Sequence, residues 1–488
     1  MPGSLASPDL ARVRAGNAAL RGRRIPLTRR SALIAFAVVG LVALQAFLSF
    51  HALAAKSIWL DEAVSVSYAT DGLANLWHVV SSADPNMSLY YAGLDLWARI
   101  GGTSAFAVRS LSAVCAVLTV PVVIALGREM FGWAEGLIAG LLISTSAFLL
   151  QYAQTARSYT LLVLLVTAST YCFVLELKRP TRLSAVGYVL ASSLAFYAQY
   201  FAAYVLLVQV LTVLAVERRA ALSRRRVAIA GAVAVACAPG LYFVAHAPNQ
   251  LTWISKPTLA DLPAFFVTLS GGVAVLAVVL GVLAIYALVT SAGAAPNRGS
   301  ARWSVPFLAA SVLAPVALTF LVSLVRPTFI PRYLIITLPA FMLIAAVGLV
   351  RLPRVLAAPL LVAIAGLSAY GVSQWYTAPG SENYRAAVGY VIEHQHPGDG
   401  YMAYPVGAAD PVAYYIDRAG SARPTAIASV SADGSASAPR RVWLVVRDFD
   451  VHLQPALFRS VENSFVAGYI RTSTRRFRGV EDVLYVAR

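Results

Sequence analysis

The stretch SALIAFAVVGLVALQAFLSF, Ser31 to Phe50, runs for twenty residues without a charge, and it is followed closely by SIWLDEAVS, Ser57 to Ser65. A run of about twenty apolar residues matches the thickness of a bilayer's hydrocarbon core, so the first stretch reads as a membrane-spanning helix. The second then places two adjacent carboxylates, Asp61 and Glu62, beside Trp59 at the edge of that bilayer. Charge close to hydrocarbon is costly and calls for a reason. Either the pair is the polar flank of a helix, or it is the working end of an enzyme.

The rest of the chain repeats the first stretch. Of 488 residues, 59% are hydrophobic and only 12% are charged, against about a quarter charged in an ordinary soluble chain. Further apolar runs fall at about 104–126, 134–151, 158–177, 183–198, 200–216, 227–247, 266–291, 304–325, 333–350 and 355–374. With the first they predict a polytopic α-helical membrane protein of about eleven spans. A cleavable signal peptide is the competing reading of the first span, because ALAA at 52–55 resembles a cleavage site. The basic segment before it is too long for that, so an uncleaved helix is expected.

The net charge of +17 is a topology signal rather than a nucleic-acid footprint. From Tyr376 to the end there are 12 basic and 11 acidic residues, so the 27 remaining cations and 11 remaining anions precede it. The cations gather between the spans: seven arginines within residues 1–30, then Arg128, Lys178, Arg179, Arg182, Arg218, Arg219, Arg224 to Arg226, Arg298, Arg302, Arg351 and Arg354. Alternate loops hold far fewer, notably Lys56, Arg99, Arg157, Lys256, Arg326 and Arg332. The positive-inside rule therefore predicts a cytoplasmic N-terminus, with Asp61, Glu62 and the C-terminal segment on the outer side.

Three segments follow: a basic cytoplasmic arm at 1–30, a transmembrane domain at 31–375 and an extracytoplasmic α/β domain at 376–488. The first outer loop, 54–103, is long and alternates polar clusters with LANLWHVV and LYYAGLDLW, which predicts short interfacial helices. In the last segment SENYRAAVGYVIEHQ has helical spacing with Ser381 as N-cap. DGYMAY, RVWLVVR and DVLYVAR read as strands, and residues 427–439 as a Ser/Ala/Gly loop.

Candidate chemistry collects on the outer side. A carboxylate at the rim of an apolar cavity can act as a base, which favours Asp61 and Glu62. Asp84 and Asn86 lie in DPNMSLYY, where the alternative is a turn before a helix; Tyr90 and Tyr91 are otherwise interfacial aromatics. Arg157, in QYAQTARSY with Tyr152 and Gln154, sits where outer-side arginines are disfavoured, so it is either snorkelling to lipid phosphate or binding a phosphate ligand in a fork. Arg332 and Arg326, in RPTFIPRY, occupy the matching edge before a later span; Lys56 and Lys256 are weaker candidates. Cys115, Cys172 and Cys237 lie in apolar runs, and the six histidines show no metal-ligand spacing.

With these residues in place the chain resembles the GT-C membrane glycosyltransferases, specifically the protein-mannosyltransferase-like (family 39) group, which is related to the enzymes that transfer aminoarabinose to lipid A. SIWLDEAVS looks like the group's first-loop acidic motif, and DPNMSLYYAGLDLW occupies the place of its HPPLYYLLLxLW segment. FAVRSLSAVCAVLTVPVVIALGREMFG is similar to its second span, LLQYAQTARSYTLLVLLV to its YxQEARxY segment, and PRYLIITLPA to its RYLLPxLP span. The common His-Pro-Pro reads Asn86-Met87-Ser88 here, and the Glu of QEAR is Thr155.

The resemblance implies a GT-C fold and a bacterial plasma-membrane glycosyltransferase. It would move a sugar, hexose or pentose, from a polyprenyl-phosphate donor to a hydroxyl acceptor on a glycolipid, polysaccharide or protein outside the cell. Asp61 would be the general base, with Glu62 orienting the acceptor or holding Asp61. Arg157 and Arg332 would hold the donor phosphate, and displacement would invert the anomeric carbon. Trp59, Asp84, Asn86, Tyr90, Tyr91, Tyr152 and Gln154 would line the substrate site. No cofactor is expected; use of a divalent metal is left open. The rival reading is a flippase for a lipid-linked sugar, which commonly carries pseudo-repeated halves and midplane charges.

Overall fold

The structure is a computed structural model that describes residues 29–246, 253–292, 301–420, 424–427, 439–466 and 468–488. Most of the basic arm, Arg298 and most of the loop at 427–439 lie outside the described residues. The chain parts into two compact units, Met1–Gly40 and Leu41–Arg488. The described part of the first is the start of helix Arg29–Phe50.

Among the described residues eight helices are long and apolar enough to cross a membrane, nine if the bent pair Trp133–Ser144 and Ala147–Ala153 makes one span. The sequence count of eleven also took in Arg182–Ala198 and Ala202–Glu217, which form helices of 17 and 16 residues. The chain is a multi-pass membrane protein. Its apolar surface shows why: Leu211, Val235, Val278, Val282 and Ile285 stand exposed on helix faces, an arrangement that water would penalise and lipid accepts.

Helix Pro331–Arg351 is the centre of the bundle, with 94% of its apolar window buried, against 11% for Arg224–His246. It is apolar all round, as a helix enclosed by others must be. One neighbour, Ala274–Ala292, approaches it at Gly348, where an added Cβ would lie 2.0 Å from the Leu283 carbonyl oxygen. Only glycine permits that approach.

The run at 266–291 is not one helix. It breaks into Asp261–Leu269 and Ala274–Ala292, because Gly271 and Gly272 take positive φ of 76° and 81° between them. The long loop at 54–103 carries helices Leu60–Thr70, Leu73–His78 and Ser88–Gly101, the short helices that its amphipathic pattern predicts.

The C-terminal segment folds around a five-stranded sheet: β1 Gly400–Tyr404, β2 Thr425–Ala426, β3 Arg441–Arg447, β4 Tyr469–Phe477 and β5 Val480–Ala487, in the order β2-β1-β3-β5-β4. β2, β1 and β3 run parallel, and β5 and β4 add antiparallel. β3 is central and covered on both sides, so its sequence is a continuous apolar run. Trp443 and Val445 face one core with Tyr384, Val388 and Tyr401; Val442, Leu444 and Val446 face the other with Phe465 and Tyr485. Helix Tyr384–His394 is capped by Asn383, whose side chain accepts from the Ala386 N–H, and not by Ser381. Asn is as good a cap as Ser, so composition alone did not separate the two positions.

Candidate active site

Three breaks in helical structure meet at one point. Asp61 lies in the first turn of helix Leu60–Thr70. Arg157 lies in the non-helical bridge between Ala147–Ala153 and Tyr159–Lys178. Arg332 lies in the 3-10 turn Pro331–Thr337, opened by a proline whose missing N–H costs nothing there. Helix ends leave backbone groups and polar side chains unpaired by the helix itself, which is why charge can gather at them.

Arg332 Nη1 lies 3.5 Å from Asp61 Oδ2, and Arg157 Nη2 3.9 Å from the same oxygen. Arg157 Nη1 also donates to the Asp61 carbonyl at 3.2 Å and to Ser65 Oγ at 3.1 Å. One carboxylate thus faces two guanidinium groups and leaves a net positive charge. The Nε atoms of Arg157 and Arg332 are buried with no hydrogen-bond partner among the described residues, and so is the Tyr159 hydroxyl. Buried guanidinium donors left unpaired are costly unless a ligand takes them. The rings of Trp59, Trp253 and Tyr333 stand 5.8, 5.4 and 5.6 Å from the Arg332 guanidinium carbon, enclosing it on several sides.

The two acids of the first-loop motif point differently. Asp61 keeps 21% of its side chain exposed, whereas Glu62 keeps 1%. Glu62 is gripped by Arg109 and also accepts from the Ala156 N–H at 2.8 Å. Every contact it makes is internal, so the structure gives it no surface on which to orient an acceptor. Arg109 escaped the sequence reading, although an arginine inside the apolar run 104–126 was the signal that could have found it.

Asp84 is half-buried within electrostatic reach of Arg157, and Tyr91 donates to its Oδ2 at 2.7 Å. Burial pushes its carboxyl upward, opposed by that hydrogen bond and by Arg157. Tyr90 meets Ser112 Oγ at 2.9 Å, and that hydroxyl donates to the Arg157 carbonyl at 3.1 Å. Asn86 accepts from the Tyr200 N–H at 3.2 Å. Gln154 donates to the carbonyls of Leu48, Ser49 and His51 and accepts from Trp375 Nε1. Tyr152 packs edge-on against Phe148 and Tyr159. Tyr90 and Tyr91 thus lie within electrostatic reach of Arg157, and Tyr152 of Arg332, while the contacts of Asn86 and Gln154 tie neighbouring segments of the bundle together. Lys56 lies over the Trp375 ring, and burial with the nearby Arg109 charge pushes its amine down to about 8. Among the described residues no three His, Cys, Asp or Glu side chains come together as a metal ligand set.

Residues 87–243 match the family model for dolichyl-phosphate-mannose-protein mannosyltransferase, a stretch that holds Arg109 and Arg157 but neither Asp61 nor Arg332. The fold is similar to ArnT from Cupriavidus metallidurans in the apo state (TM-score 0.63, 11% identity, 92% of this chain and 97% of that one). It is similar as well to ArnT bound to undecaprenyl phosphate (0.61, 13%, with the same coverage). The arabinofuranosyltransferase AftD from Mycobacteria also matches (0.51, 16%, 94% of this chain and 40% of that one). No curated protein matches the sequence. The chain resembles the GT-C glycosyltransferases, by sequence pattern over residues 87–243 and by fold over nearly its whole length.

Proposed function

We propose that this protein transfers a sugar from a polyprenyl-phosphate-linked donor to a hydroxyl acceptor at the outer face of the plasma membrane. The observation that carries the reading is the partly exposed Asp61 carboxylate set against Arg157 and Arg332, two guanidiniums whose Nε donors have no partner among the described residues. The donor phosphodiester brings one negative charge and the lipid phosphate it leaves behind carries up to two, so two guanidiniums, each able to bind phosphate in a fork, suit the charge that develops as the sugar departs. The distribution of loop cations supports an outward-facing site, with the N-terminus and the arginine-rich loops inside.

In this reading the donor phosphate takes the two arginines and releases Asp61. The acceptor oxygen attacks the anomeric carbon while its proton passes to the Asp61 carboxylate. The bond between that carbon and the phosphate oxygen breaks, and the electron pair leaves on the lipid phosphate, held by Arg157 and Arg332. Displacement in line inverts the anomeric centre. The two guanidiniums supply the leaving-group stabilisation, so the scheme uses no cofactor. Glu62 acts through Arg109, fixing the segment that carries Asp61.

The test is turnover of a polyprenyl-phosphate sugar, with acceptor membranes, by the purified full-length protein and its Asp61→Asn variant. Transfer by the unmodified protein and its loss in the folded variant support the reading. Equal transfer by both removes the base assignment, and movement of intact donor across the bilayer without transfer favours a flippase.

A further inference from the structure

The helix that carries Asp61 begins badly. Its N-cap position is Trp59, which has no side-chain oxygen and makes no cap, although the first N–H groups of a helix need acceptors. The acceptor arrives from more than three hundred residues away: the Leu60 N–H donates to Glu382 Oε2 at 3.1 Å. One residue pair earlier, the Ile58 N–H donates to the Tyr415 hydroxyl at 2.8 Å. Glu382 and Tyr415 both belong to the C-terminal domain.

That domain grips the whole approach to the helix. The Arg385 guanidinium donates to the carbonyls of Ala54, Ala55 and Lys56 at 2.9, 3.1 and 3.2 Å. From the opposite side Arg109 donates to the carbonyls of Leu53, Lys56 and Ser57, each at 3.0 Å. The segment leading into Asp61 is therefore held between an arginine of the membrane bundle and an arginine of the C-terminal domain. The far end of the same loop is held too, because the Tyr414 hydroxyl donates to the Thr103 carbonyl at 3.0 Å. Glu382 is itself fixed by Arg447, whose Nε donates to Oε1 at 2.6 Å and whose Nη1 reaches Asp450 at 3.1 Å.

We propose that Glu382 is a positioning residue, which caps in trans the helix bearing Asp61 and so lets the C-terminal domain set the place of that carboxylate against Arg157 and Arg332. The proposal rests on the reading of Asp61 as the base. A carboxylate is the favourable group at a helix N-terminus, since it meets both the free N–H groups and the positive end of the dipole. The cap lies one residue before Asp61, so its loss frees the first turn, and a small displacement of a reacting group is enough to slow chemistry.

Three variants of the full-length protein separate the outcomes: Glu382→Ala, Glu382→Gln and Asp61→Asn. For Glu382→Ala the expected result is a fall in kcat of about ten- to a hundredfold at unchanged donor KM. Faster amide exchange in the peptide containing Leu60 accompanies it, with the C-terminal domain still protected. Glu382→Gln keeps an acceptor oxygen for the Leu60 N–H and restores most of kcat. An unchanged kcat in Glu382→Ala overturns the proposal, as does equal loss in the Ala and Gln variants alongside a lowered melting point, which marks a purely structural role. Normal turnover by Asp61→Asn ends the base reading and the positioning role with it, while the exchange measurement still reports whether the cap exists.

Discussion

Arg109 grips Glu62 through both Nε, at 2.8 Å from Oε1, and Nη2, at 2.7 Å from Oε2, and both side chains are buried. The remaining donors of Arg109 go to three backbone carbonyls and the remaining capacity of Glu62 to the Ala156 N–H. A buried pair so completely satisfied resists the removal of either half more than it adds net stability. Arg109→Met or Glu62→Ala alone is expected to cost about 3–5 kcal/mol, because an unpaired charge stays buried. The double variant Glu62→Leu with Arg109→Met is expected to be less destabilised than either. Thermal unfolding in detergent checks this; a single variant as stable as the parent would show that the pair is no strut.

Arg157 and Arg332 share Asp61 but reach it from different elements, so their losses should resemble each other in kind. Replacing either by Lys keeps the charge and removes the fork. A hydrogen bond to a charged group is worth about 1.5–3 kcal/mol, so the donor KM should rise roughly ten- to a hundredfold. Inhibition by the free polyprenyl phosphate should weaken in parallel, since that product offers the arginines the same group. Unchanged product inhibition in both variants would remove the arginines from phosphate binding.

Arg157 and Arg332 were legible because each is a charge set close to an apolar run, in loops that hold far fewer cations than the loops between them. What sequence could not separate was Asp61 from Glu62. Neighbouring helical residues point about 100° apart, and which of them faces Arg109 depends on a helix that starts some forty residues later. The helix break at Gly271-Gly272 was hidden inside an apolar run. Strand β4, YIRTSTRRF, is an edge strand exposed from Ile470 to Arg476, so it lacks the alternation that betrays a half-buried strand. The clamp formed by Glu382, Arg385 and Tyr415 has no local signature at all, since each of its bonds joins residues more than three hundred positions apart.

Asp482 gives the C-terminal domain a pH dependence of its own. It lies on β5, paired in register with Val445 of β3, and is 1% exposed, with neither carboxyl oxygen hydrogen-bonded among the described residues. Burial, with a smaller contribution from the adjacent Glu481, pushes the carboxyl up from 3.8 to about 7. Below the unfolded value both states hold the proton and the group contributes nothing. As pH rises from about 4 to about 7 the unfolded chain releases the proton while the folded domain keeps it, so stability falls across that window and levels off above it. Over a shift of about three pH units the loss is on the order of 4 kcal/mol. Asp482→Asn removes the proton exchange, so it should be more stable than the parent at pH 7.5 and should flatten the profile between pH 4 and 7. Amide exchange of β3 and β5 in the full-length protein, measured across that range, reads the effect where it arises. An unchanged pH profile in the variant would place the source elsewhere in the domain.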